Sequence, residues 1–119
     1  MRDHAADFLP LTHLAFHVLL ALAEGPAHGY ALVRDVRDRS GGAIDPGTGS
    51  FYSVIRGLGD QGLLAPTAAP DDRRDERRRY YAITPLGRRV LDAETSRLKG
   101  LIREAERRRA RQAAARGTR

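Results

Sequence analysis

Three groups of residues in this sequence have types and spacings that suggest chemistry. His13 and His17 lie one helical turn apart, which puts both imidazoles on one helix face. Two such nitrogens make half of a tetrahedral zinc site, so a metal-sensing role needs ligands from elsewhere; the alternative is a pair of ordinary interface histidines. Gly47-Thr48-Gly49-Ser50 has the glycine content of a phosphate-cradling loop, but it lacks the lysine of such loops and no strand precedes it. A glycine-rich entry to a helix fits better, and the first amides of that helix can still hold a phosphate. Arg73, Arg74, Arg77 and Arg78 crowd one short stretch, and the fixed donor fork of arginine suits phosphates and base edges. No serine–histidine–acid arrangement stands out. Cysteine is absent, which removes disulfides, thiol catalysis and thiolate metal sites. No enzyme and no cofactor are expected.

The charge pattern points to an anionic partner. Net charge is +6. Residues 1–70 carry 5 basic and 7 acidic groups, a net −2, whereas residues 71–119 carry 16 basic and 8 acidic groups, a net +8. Positive charge is therefore confined to one part of the chain, as a nucleic-acid contact or as a solvated surface. The length of 119 residues fits one domain with a modest core. The apolar run Leu14–Ala23 is too short to span a membrane and is interrupted by His17. Met1-Arg2-Asp3-His4 lacks signal-peptide architecture, so a cytoplasmic location without membrane contact is expected.

The elements that must position these residues can be read from periodicity. Residues 1–10 read as a flexible N-terminal arm. Thr12 is a suitable N-cap for a first helix that ends at Gly25-Pro26 and is apolar nearly all round. A second helix spans about Gly29 to Ser40, with Tyr30, Leu32, Val33 and Val36 inward. A third runs from near Thr48 to about Gln61, with Phe51, Val54, Ile55 and Leu58 inward. Gly57 and Gly59 each cost that helix roughly 1 kcal/mol against alanine. Leu63-Leu64-Ala65 and Tyr80–Thr84 read as two strands of a hairpin with a charged tip, Tyr81 facing inward and Tyr80 outward. Thr84-Pro85 matches an N-cap followed by proline at the first helical position. The last helix reaches about Gln112, and 113–119 reads as a disordered basic tail.

Three helices, a hairpin and a long helix make a mainly α (α+β) chain with the winged helix-turn-helix plan. The winged domain covers residues 11–84 and the C-terminal dimerisation helix covers 85–112. The third helix can lie in the major groove of double-stranded DNA while the two-stranded wing reaches the neighbouring backbone. The expected DNA contacts are His28, Tyr30, Thr48, Ser50, Tyr52, Ser53, Arg56, Arg73, Arg74, Arg77 and Arg78. The far half of the last helix has no intramolecular cover for its apolar stripe, so a partner helix is expected. The expected homodimer interface uses Leu14, His17, Val18, Leu91, Leu98, Leu101, Ile102 and Ala105, and a two-fold dimer suits a palindromic operator. A winged-helix protein-interaction module that docks an acidic protein is a further alternative; a steep loss of duplex binding with salt would separate the two.

Four stretches carry a family resemblance. Leu11–Leu22 looks like the first helix of the PadR-like transcriptional regulators, and Gly25–Leu32, with His28-Gly29-Tyr30, is similar to their second-helix entry. Gly49-Ser50-Phe51-Tyr52, then Leu58 and Gly62-Leu63-Leu64, resembles their recognition helix and first wing strand. Arg77–Arg88 resembles the second wing strand and the start of the last helix. The resemblance covers about residues 11–105, and it fits the short subfamily with one C-terminal helix. It implies a dimeric repressor released from its operator by a small apolar or aromatic effector. The chain departs from the family at Gly57 and Gly59, where charged residues are usual, and at Ser53, where a basic residue is frequent. It also has no tryptophan, so a drug pocket built of paired tryptophans is impossible.

Overall fold

The computed structural model describes residues 4–45, 47–68 and 79–117. Helix α1 (His13–Ala23) starts where Thr12 accepts the amide of Ala15 through its hydroxyl at 3.2 Å. Its Val18, Leu19 and Leu22 are buried, which places α1 at the centre of the molecule. Strand β1 (Ala27–His28) leads into α2 (Gly29–Arg39), whose Leu32 and Val36 join the core. Helix α3 (Thr48–Asp60) contributes Phe51, Ile55 and Leu58, spaced four and three residues apart on one face. Strands β2 (Leu64–Thr67) and β3 (Tyr80–Ile83) follow, then α4 (Pro85–Gly117).

The wing is larger than the sequence implies. β2 and β3 pair antiparallel as expected, with Leu64 opposite Ile83 and Thr67 opposite Tyr80. Ala27 and His28 add a third strand on the other edge of β3, opposite Tyr81 and Tyr80. The backbone of His28 is extended because it caps α2, and this conformation makes strand pairing available. Leu63, expected in the first strand, instead closes the end of α3, donating its amide to the carbonyl of Leu58 at 2.9 Å. Tyr81 and Ile83 pack on the core as the alternation predicts.

One side chain joins α3 to α4. The Thr84 hydroxyl donates to the carbonyl of Gly62 at 2.6 Å and accepts the amide of Gly87 at 2.9 Å. The Thr84 amide donates to the carbonyl of Leu63 at 3.1 Å. α4 passes so close to this turn that a Cβ on Gly87 would overlap the Leu63 carbonyl oxygen and stand 2.8 Å from Ile83 Cγ1.

Both chain ends differ from expectation. Within the stretch read as a flexible arm, residues Ala5–Phe8 form a 3₁₀ turn packed against α4, and Phe8 is buried. An aromatic ring gains more by covering apolar surface than a free arm gains in entropy. The Leu11 amide then donates to Oε2 of Glu94 at 2.9 Å. Glu94 is only 1% exposed, and Arg97 clamps it with two hydrogen bonds of 2.5 and 3.0 Å. At the other end α4 continues through Gly117, past the expected limit at Gln112. Alanine and arginine are strong helix formers, and Glu104 pairs with Arg107 and Arg108 one turn on.

Candidate nucleic-acid interface

Helix α3 divides its residues sharply. Phe51, Ile55 and Leu58 face the core, while Ser50, Tyr52, Ser53 and Arg56 are exposed. A single helix thus presents two serine hydroxyls, one guanidinium and the part-exposed ring of Tyr52, at the positions where a groove-reading helix carries its donors. Thr48 opens the helix. Arg73, Arg74, Arg77 and Arg78, expected to line the wing tip, lie outside the described residues.

The remaining expected contacts gather at the start of α2. His28 caps this helix, its Nδ1 accepting the amide of Ala31 at 3.2 Å. Its ring meets Tyr80 of β3 edge-on at 5.3 Å and stacks with Tyr30 at 6.4 Å. Tyr30 stands 64% exposed, contrary to the inward position that the α2 periodicity suggests. At the second position of the helix its side chain clears the core, and the Arg34 guanidinium covers its ring at 5.3 Å. Tyr52 reaches back from α3 across Gly29, the contact that ties the two helices at this surface. His28, Tyr30 and Tyr80 therefore form one aromatic cluster linking α2 and the wing, and Tyr52 of α3 packs against α2 at Gly29. His28 starts α2 as its place in the histidine-glycine-tyrosine stretch suggests, whereas sequence reasoning missed the sheet pairing, because the strand that carries His28 has only two residues.

The histidine pair on α1 has a different setting. The rings of His13 and His17 meet edge to face at 5.0 Å. Arg39 of α2 donates to His17 Nδ1 and to its carbonyl oxygen, each at 3.2 Å. Burial lowers the His17 pKa below its ordinary value, with His13 and Arg39 adding to the effect. Among the described residues no group of three or more histidine, cysteine, aspartate or glutamate side chains is placed to hold a metal.

The expected interface residues separate into two sets. Val18 and Leu91 are 0% and 7% exposed within the chain's own core, so they do not form an external face. The cause is the position of α1, which packs against α2, α3 and α4 together. Leu14, His17 and Leu98 are half-buried, and Ala105 is exposed. Leu101 and Ile102 are 54% and 58% exposed on α4, beyond the reach of the core.

Comparison with known proteins fits this architecture. Residues 18–93, well over half of the chain, match the PadR-like family of transcriptional regulators. The chain belongs to the PadR-like transcriptional regulator family. PadR-like regulators bind DNA through a winged helix. A PadR family transcription regulator from Clostridium difficile superposes with a TM-score of 0.68 at 17% identity, over 80% of this chain and 96% of that one. A transcriptional regulator from Clostridium thermocellum gives 0.67 at 21% identity, over 80% and 88%. RosR of H. salinarum, in a complex designated RosR-S4, gives 0.65 at 25% identity, over 95% and 98%. Among curated sequences, an uncharacterized 37.1 kDa protein in transposon TN4556 of Streptomyces fradiae is 35% identical over 91 residues. That match takes in 74% of this chain but spans only 24% of the relative's length. Among the described residues no helix is long and apolar enough to cross a membrane.

Proposed function

We propose that this protein is a sequence-specific DNA-binding repressor that acts as a homodimer on a palindromic operator. The observation that carries the reading is the division of α3, whose Phe51, Ile55 and Leu58 are locked into the core while Ser50, Tyr52, Ser53 and Arg56 face out. A helix held on one side and polar on the other can enter a major groove without disturbing its own fold. Leu98, Leu101, Ile102 and Ala105 of α4 supply the dimer contact, covered by the same stripe of a second copy. A small apolar or aromatic effector lowers operator affinity.

Selection of bound genomic fragments by the purified protein tests this reading. It is expected to return a palindrome with half-sites about one helical turn, roughly 34 Å, apart. Affinity for that operator should fall steeply between about 50 and about 200 mM salt, with a logarithmic slope near −0.9 per neutralised phosphate. Recovery of random fragments, or duplex affinity indifferent to salt, would overturn it.

A further inference from the structure

The distal part of α4 lies clear of the core. From Arg103 to Gly117 every residue except Glu104 is exposed. This stretch holds 6 arginines and 2 glutamates, a net +4, and its largest apolar side chain is alanine. The helix persists there on alanine and arginine propensity and on the Glu104 pairs, not on burial.

The positive charge is ordered. Lys99, Arg103, Arg107 and Arg111 recur every fourth residue, and all are exposed. Residues four apart share a helix face, so these cations form a ridge about 18 Å long, one every ~6 Å. At about 100° per residue, Arg107 stands about 120° or more around the helix from each of Leu98, Leu101, Ile102 and Ala105. The ridge is therefore turned away from the apolar stripe, and it stays open whether or not that stripe meets a second copy. Glu104 and Glu106 flank it. The Glu104 carboxylate pairs with Arg107, with Arg108 at 2.7 Å and with Arg111 at 3.8 Å. One carboxylate shared by three guanidinium groups orders them without cancelling their charge.

We propose that this ridge is a second, sequence-independent nucleic-acid contact, made to the phosphates of duplex DNA. A row of evenly spaced cations suits a polyanion that carries one charge per about 1.7 Å of duplex axis. Docking on an acidic protein uses an aromatic or aliphatic anchor seated in a pocket, and lying on an anionic membrane uses an apolar helix face. Beyond Ile102 the described helix supplies neither. Guanidinium contacts to phosphates position a protein on a duplex without reading its bases. The ridge shares no residue with α3 or the wing, so it does not rest on α3 being the reading helix.

The test follows binding of the full chain to a labelled random-sequence duplex across a salt series, by fluorescence anisotropy. The wild type is expected to bind with Kd on the order of 1–100 µM near physiological salt. Arg103→Gln, Arg107→Gln and Arg111→Gln together are exposed changes to a residue that also favours the helix. They should lower the logarithmic salt slope by at least about 2, at about 0.9 per lost phosphate contact. The same three positions changed to lysine should keep the slope. An unchanged slope in the glutamine variant would overturn the ridge, and so would an equal loss in the lysine variant, which keeps the charge. Tighter binding to poly-L-glutamate than to duplex, abolished in the glutamine variant, would reassign the ridge to an acidic protein. A wild type that selects no palindrome but shows the ridge-dependent slope sinks the α3 reading alone. A palindrome bound with a slope that the glutamine variant leaves unchanged sinks the ridge alone.

Discussion

The hydroxyl of Tyr52 on α3 stands 2.8 Å from the point that a Cβ on Gly29 of α2 would occupy, with ring carbons Cε1 and Cζ at 3.1 and 3.2 Å. Glycine is favoured there by the tyrosine, not by its own backbone angles. Gly29→Ala should force Tyr52 off its position and, because the obstacle is the far end of a part-exposed side chain, cost only about 1 kcal/mol of stability, the low end of overpacking. A double-mutant cycle with Tyr52→Ala checks the cause. The alanine at 29 should become nearly harmless once the ring is gone, and additive losses would show that the two residues are not coupled.

A harsher outcome is expected at Gly87. Here the obstacle to a Cβ is the Leu63 carbonyl, which is backbone and cannot swing away. Gly87→Ala should lose at least about 3 kcal/mol, the upper end of ordinary overpacking. Chemical denaturation measures it, and a variant as stable as the wild type would mean that α4 sits farther from this turn.

Two groups make the protein acid-sensitive. Hydrogen bonds from Arg97, and then from the Leu11 amide, hold the Glu94 carboxyl below its usual range against the opposing effect of burial. A depressed carboxylate stabilises the fold fully above its unfolded pKa of 4.5, and this is lost as pH falls through the folded value. His17, also depressed, loses its contribution earlier, as pH falls below its unfolded value of 6.5. Thermal unfolding followed downward in pH should therefore show two phases of loss. Glu94→Gln should remove the lower phase and cost roughly 1.5–3 kcal/mol near neutrality, the worth of hydrogen bonds to a charged group. His17→Gln should flatten the upper phase only.

The dimer reading makes its own demand. Leu101 and Ile102 are more than half exposed on a single chain, so charging them does not touch the core. Leu101→Glu with Ile102→Glu should yield a folded monomer by sedimentation, with operator affinity reduced by at least about a hundredfold as one half-site's contribution is lost. A doubly charged chain that still sediments as a dimer would place the interface elsewhere.

The order of elements was legible because each boundary has local chemistry: Thr12 and Thr84 cap helices, Gly25-Pro26 ends one, and the period changes at Leu64. The polar face of α3 followed from the same spacing. What escaped were three features decided by a partner remote in the chain or by packing. Ala27 and His28 pair only because β3 lies beside them, and two residues carry no readable period. The burial of Glu94 has no local signal, because one of its hydrogen bonds comes from the Leu11 amide, 83 positions away in sequence. Val18 and Leu91 have the apolar character of an interface, and only packing shows that the chain uses them itself.

The Thr84 joint has a mechanical consequence. Its hydroxyl is held at both ends, to Gly62 at the foot of α3 and to Gly87 at the head of α4, so the two helices meet without slack. α4 has 33 residues and, at about 1.5 Å each, forms a shaft of about 50 Å. A tilt of only about 5° at the joint sweeps the far end of that shaft through about 4 Å. Run in reverse, a coarse displacement at the distal tip is geared down to a fine adjustment where α3 is seated.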